Sequence, residues 1–340
     1  MQQRQSQRLS VKGVLKSAAA LKTAAEIIAP ANGGFFQGIL SKEEVEENLV
    51  EYMISVLLSG IAVGGQYALI AIGYTMVYGI LRLINFAHGD VFMVAGLMGI
   101  YFAATMPLYV ALPLMLVLTV LLGFCIERLA YKPLRNAPRM SVMISAIGVS
   151  YFLQNTATYI TGGQPMTYPT ISWLAKTVNI AGTPTKLVVL ITPVLVVLLV
   201  LALTQLINHT KIGMAMRAVS RDFETARLMG IEINKVISVT FIIGSALAAV
   251  GSVLYFTCYP AVTPTAGALP GLKAFVAAVF GGIGSVPGAV IGAFIIGICE
   301  NLIKSTSYTV FSDAFTFALL IVILVFKPTG LFGEKATDKV

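Results

Sequence analysis

Long runs without a single charged residue alternate along this chain with short polar segments that are mostly basic. Residues 52–81, 91–126, 140–175, 187–210, 236–272 and 274–299 contain no Asp, Glu, Lys or Arg. A helix needs about 20 apolar residues to cross a hydrocarbon core ~30 Å thick. Residues 108–126, 187–207 and 236–258 therefore predict single crossings, and 314–326 a shorter one. Residues 141–160 predict a further crossing with more polar content. The stretch 52–81 is long for one crossing, and Gly60, Gly64 and Gly65 offer places to bend it. The stretch 91–105 is short. Residues 274–299 contain Gly281-Gly282-Ile283-Gly284-Ser285-Val286-Pro287-Gly288, which a straight helix does not carry. The pattern predicts an all-α integral membrane protein with about eight membrane helices or segments, some broken by Gly and Pro.

Composition agrees. The chain is 57% apolar and 11% charged, where a soluble domain carries about 25% charged residues, and its mean hydropathy is +0.87. Residues 1–51 hold six basic and six acidic residues, so the net charge of +8 lies entirely beyond them. That excess sits in short loops between apolar runs, which fits retention of Lys and Arg on the cytoplasmic side better than nucleic-acid binding. The loop 127–139 carries Arg128, Lys132, Arg135 and Arg139; the loop 208–235 carries Lys211, Arg217, Arg221, Arg227 and Lys235. Two spans separate them, so both are expected in the cytoplasm. Residues 161–186, with Trp173, and 259–270 are expected outside. The tail 329–340, with Lys335 and Lys339, is cytoplasmic provided that 271–311 crosses twice or re-enters. How 52–105 is divided decides the side of the N-terminus.

Residues 1–51 read as a separate N-terminal extension ahead of a membrane domain at 52–328. Arg4, Arg8, Lys12 and Lys16 recur every four residues and stack on one helical face. Lys22 and Glu26 interrupt the apolar core that a secretory signal needs, so a tail or surface helix is expected. Ser41 and Glu44 form a capping box opening a short acidic helix. Cys125, Cys258 and Cys299 lie in or beside apolar runs without a CxxC pair, and His88 and His209 are the only histidines. No metal site, cofactor or catalytic group is expected.

Three segments carry more information. Asn85-Phe86-Ala87-His88-Gly89-Asp90 is a polar island between apolar runs. Gly89 permits unusual backbone angles, and Asp90 can cap a helix starting at Val91. The island reads either as a broken helix lining a translocation path or as a cytoplasmic turn. The second is the glycine-rich run with Gly281, Gly282, Gly284 and Pro287, either an unwound path-lining backbone or helix-packing glycines. No GxGxxG or GxxxxGK[ST] makes it a nucleotide cradle. The third is the loop 208–235. Asp222 can cap a short helix whose first turn holds Glu224, Ala226, Leu228 and Met229 give it an apolar patch, and Gly230 ends it. Such a helix, with Arg217 and Arg227 nearby, suits docking of a soluble partner or a position on anionic lipid.

The run from Tyr67 to Gly79, the segment Asn85–Asp90, Ile144–Gly148, Lys273–Gly288 and the ending Pro328-Thr329-Gly330-Leu331 together resemble the permease subunit of bacterial branched-chain amino acid ABC importers, the shorter of the two types those systems pair. The resemblance covers about residues 52–340. It implies a plasma (inner) membrane location, transport of branched-chain or related amino acids, and no hydrolysis by this subunit. The implied partners are a second related permease, two cytoplasmic ATPases and an extracytoplasmic substrate-binding protein. It also implies that Glu224-Thr225-Ala226-x3-Gly230 is the loop that docks on an ATPase. That loop keeps the family spacing but has Thr225 at the middle position and lacks the downstream Ile-x-Leu-Pro of importers generally. The competing reading is a self-sufficient carrier or channel for a small polar solute such as urea or an amide. Carriers keep intramembrane acidic residues, and the uncharged stretches contain none.

Overall fold

The computed structural model describes residues 42–135, 137–180, 182–327 and 329–333. The basic face at Arg4–Lys16 and the Ser41 cap lie outside them. Helix α1 spans Lys42–Leu81 without a break, so the acidic segment and the first membrane crossing are one helix. Then follow α2 (His88–Thr105), α3 (Leu108–Ile126), α4 (Arg139–Thr161), α5 (Leu187–His209), α6 (Lys211–Arg221), α7 (Phe223–Leu228), α8 (Ile233–Cys258), α9 (Ala268–Gly281), α10 (Val286–Lys304) and α11 (Ser312–Phe326). A π-helical turn, Glu127–Tyr131, continues α3. Among the described residues, seven helices are long and apolar enough to cross a membrane. Helix α4 is long enough but more polar, and α9, at 14 residues, is ~21 Å long and too short for the full core.

The glycines at 60 and 64 do not break α1. They let α10 lie against it, backbone to backbone. A Cβ on Gly60 would sit 2.9 Å from Ile298 Cα, and one on Gly64 would sit 2.7 Å from Phe294 Cα. Spacing of four puts both on one face, as in small-xxx-small membrane interfaces. This pair and α8 form the centre of the bundle, and α5 and α11 stand at its margin.

Contacts sort the loops by side. At one end Tyr52 donates to the Ser305 carbonyl at 3.1 Å, and Glu51 packs against Gly182. Here lie the short hairpin β2–β3 (Thr177–Ile180, Thr183–Lys186) and the pairing of β1 (Met166–Thr167) with β4 (Ala261–Val262). The sequence pattern gives no sign of these strands. At the other end Arg82 donates to the Ser220 carbonyl at 3.2 Å. Leu331 and Phe332 donate backbone hydrogen bonds to Phe280 and Gly281. The start of α1 therefore shares a side with 161–186, opposite the basic loops. Helix α9 runs down, α10 back up and α11 down again, which returns the C-terminal segment to the basic side. A cysteine replacing Arg221 should be labelled by an impermeant thiol reagent only after the cytoplasm is opened, and one replacing Thr167 in intact cells. The reverse pattern inverts this orientation.

Candidate translocation path and coupling surface

The polar island interrupts the chain between α1 and α2, and its backbone differs from expectation. Arg82 takes the left-handed conformation at φ 55°, and Gly89 does not. Gly89 is small because another backbone crosses it: a Cβ there would lie 2.6 Å from the Gly267 carbonyl and 3.1 Å from Gly271 Cα. Helix α2 opens at His88, and Asp90 makes no capping bond. Its carboxylate reaches sideways instead, accepting from Ser150 Oγ at 2.5 Å and Gln154 Nε2 at 3.0 Å, both on α4. It remains in the first turn, where the helix dipole favours negative charge.

His88 is buried with its ring edge-on to Tyr74, centroids 5.1 Å apart. Its Nε2 has no hydrogen-bond partner among the described residues and points at Gly73, with Gly244 of α8 alongside. Asn85 accepts from the Tyr131 hydroxyl at 2.8 Å, deep in the bundle. The island thus joins α1, α2, α4, α8 and the start of α9.

On the side of the basic loops, beside the chain segment that leads into the island, lies a cavity of about 300 Å³ lined by Arg82, Arg135, Arg139, Arg221, Tyr131 and Phe223, among others. Arg135 is held by Glu127 and Asn234, and Ser238 donates to Glu127 at 2.8 Å. Burial lowers the guanidinium from its usual value, and the Glu127 carboxylate opposes that shift.

The glycine-rich break forms where the sequence placed it. Helix α9 ends at Gly281; Gly282 and Gly284 have φ 110° and 100°. Helix α10 then starts with Pro287 in its first turn and Ser285 accepting from Gly288 N at 3.2 Å. Toward the end of α9 and α10 that lies away from the basic loops the structure adds a cluster that no motif marked. Lys273 lies 2.7 Å from Glu300 and 2.6 Å from Asp313; Lys304 lies 2.5 Å from Glu300. Tyr67 donates to the second Glu300 oxygen at 3.0 Å. Dividing the sequence into uncharged runs cut it at these residues and hid them. The bundle does hold buried carboxylates, at Asp90, Glu127 and Glu300, so their supposed absence cannot exclude a carrier.

The loop 208–235 folds as two helices. Asp222 caps α7, accepting from Glu224 N at 3.1 Å, Thr225 N at 3.2 Å and Thr225 Oγ1 at 2.7 Å. Gly230, at φ 81°, closes it, with Ile231 N donating to the Ala226 carbonyl at 3.1 Å in a Schellman arrangement. Ala226 faces inward at 3% exposure, while Leu228 and Met229 are 86% and 78% exposed. The open apolar surface is therefore Phe223–Leu228–Met229, not Ala226. Helix α6 is a second element, missed although Gly213, Met216 and Val219 recur every three residues on its buried face. Arg217 reaches back to the Asn208 side chain and carbonyl, both at 3.3 Å. No group of three or more His, Cys, Asp or Glu able to hold a metal exists among the described residues.

Comparison with known proteins gives a consistent pattern. Residues 56–324 match the family described as branched-chain amino acid transport system permease component. The chain is 40% identical over 303 residues to the high-affinity branched-chain amino acid transport system permease protein LivH of Salmonella typhimurium, covering 85% of this chain and 98% of that one. It is 38% identical to BraD of Pseudomonas aeruginosa, covering 86% and 99%. It is 29% identical to a probable branched-chain amino acid transport permease of Methanocaldococcus jannaschii, covering 84% and 94%.

Proposed function

This chain belongs to the branched-chain amino acid transport permease family, and from that premise we propose that it forms the translocation path for branched-chain or related amino acids in an importer of the bacterial plasma membrane. Similarity along nearly the whole length of LivH and BraD carries the reading. The helical bundle with an interrupted interior and a capped cytoplasmic helix supports it. The complete importer contains a second related permease, two cytoplasmic ATP-binding subunits and an extracytoplasmic binding protein. ATP-dependent leucine uptake by vesicles holding all of these, and none when this subunit is omitted, tests the assignment. ATP hydrolysis by this subunit alone would count against it.

Coupling runs through α7. Leu228 and Met229 project from a rigid element fixed by Asp222 at one end and Gly230 at the other, and they enter a groove of the ATPase. Glu224 and Arg227 supply charge pairs at the rim. Leu228→Glu or Met229→Glu should leave the subunit folded but cost ~1.5–3 kcal/mol of apolar docking, a ~10–100-fold loss of ATPase affinity. Lys211→Gln and Arg217→Gln should co-purify with the ATPase as wild type does. A helix lying on anionic lipid gives the opposite ranking. Ala226→Glu is the weaker probe, because it forces a charge into the subunit's own interior.

A further inference from the structure

The arginines around the cavity beside the basic loops are not explained by the fold that holds them. Arg82 follows α1, Arg135 follows the π-turn, Arg139 opens α4 and Arg221 ends α6, yet all four line one space of about 300 Å³. No Asp or Glu lines it among the described residues. Arg135 is paired with Glu127, while Arg82, Arg139 and Arg221 form no ion pair among the described residues. Like charges brought together on packed elements repel. Orientation in the membrane does not require this gathering: Arg128 and Lys132, in the same loop as Arg135, serve that end without lining the cavity. Arg82 adds an independent sign. It stands at φ 55°, and no other non-glycine among the described residues has a positive φ. Strain of this kind persists where the surroundings enforce it and clusters at functional sites. Its Nη2 donates to the Ser220 carbonyl at 3.2 Å, which ties the end of α1 to the end of α6. Helix α4 begins at Arg139 with no side-chain cap, so the positive end of its dipole is also uncompensated.

The cavity lies where α1 ends and α4 begins, the depth at which headgroup phosphates sit. Its other walls are largely apolar, with Ile80, Leu83, Val142 and Val219 among them. Next to Arg139, Met140, Ile144 and Ile147 share one open face of α4, at 65%, 64% and 40% exposure. That face meets lipid. We infer that the cavity binds the phosphate of an anionic phospholipid from the cytoplasmic leaflet, with an acyl chain along Met140, Ile144 and Ile147. The bound phosphate clasps the corner between α6 and α7 to the ends of α1 and α4. Guanidinium groups grip phosphate oxygens through paired N–H donors, so one anion turns repulsion among four elements into attraction to a shared centre. The site rests on the cavity and not on the importer reading; it stands or falls on lipid binding whether or not an amino acid is carried.

Native mass spectrometry of the assembled complex in detergent, titrated with phosphatidylglycerol or phosphatidylcholine, counts the lipid retained. Phosphatidylglycerol should bind about tenfold more tightly, at one molecule per copy of this subunit. Arg82→Asn suits the backbone, because asparagine tolerates positive φ. It and Arg139→Gln should each weaken that binding by about 5–10-fold. Arg128→Gln and Lys132→Gln should change it by less than about twofold. Equal losses in all four variants would make the arginines a diffuse basic collar and overturn the site. Displacement of the lipid by millimolar inorganic phosphate would make it a site for a soluble anion and overturn the lipid. Retention by the permease subunits alone, but not with the ATPase bound, would give the cavity to an acidic group of the ATPase and likewise overturn it. Amide exchange across residues 213–228 should slow when phosphatidylglycerol is added to the wild type and not when it is added to Arg82→Asn. Exchange in the wild type that ignores the lipid would overturn the clasp.

Discussion

Glu300→Ala lowers the stability of the folded subunit by about 3–5 kcal/mol. The reason is what remains behind. Glu300 is fully buried and receives Lys273, Lys304 and the Tyr67 hydroxyl. Its removal leaves Lys273, itself buried, with only the half-exposed Asp313. Removing one partner of a buried pair costs far more than the pair contributes. Lys304→Met should cost under ~1 kcal/mol, because that ammonium is half exposed and reaches water. The double variant Lys273→Met with Glu300→Met should recover part of the loss, since less charge stays buried unpaired. Unfolding midpoints in detergent decide the matter; equal losses for Glu300→Ala and Lys304→Met would show the cluster to be a surface network.

Gly89→Val is expected to abolish assembly altogether. Its Cβ would meet the Gly267 carbonyl and the Gly271 backbone, and backbone cannot step aside as a side chain can. Overpacking of this kind costs ~1–3 kcal/mol when side chains yield, and more here. Gly148→Ala is the matched control, because nothing lies within 4 Å of a Cβ there. The yield of folded protein in the membrane should fall to background for the first and stay at wild type for the second. Wild-type yield of Gly89→Val would mean that α2 and the start of α9 are not in contact in the assembled protein.

Features set by neighbours along the chain could be read from the sequence. The span limits of α3 and α8, the break after Gly281, the Asp222 cap and the Gly230 stop each depend on residues within one or two turns. Features set by the approach of distant segments could not. Asp90 looks like a cap until α4 arrives with Ser150 and Gln154. Gly89 looks like a turn glycine until α9 crosses it. Lys273 and Glu300 border uncharged runs on different helices, and only packing makes them one cluster. Ala226 looked like part of a docking patch, yet the last turn of α7 and its Schellman closure aim it inward. The β1–β4 pairing joins segments almost a hundred residues apart, beyond any local signal.

The seam between the C-terminal segment and the glycine-rich break also sets an order of events at birth. The carbonyls of Phe280 and Gly281 find their partners in Leu331 and Phe332, made about 50 residues later. At ~5–20 residues per second, the break leaves the ribosome about 2.5–10 seconds before the amides that close it. During that interval the α9–α10 hairpin must sit in or beside the insertion machinery with two polar groups open. A ribosome stalled short of residue 331 would thus hold a subunit whose helices are all made and whose last fastening is still missing.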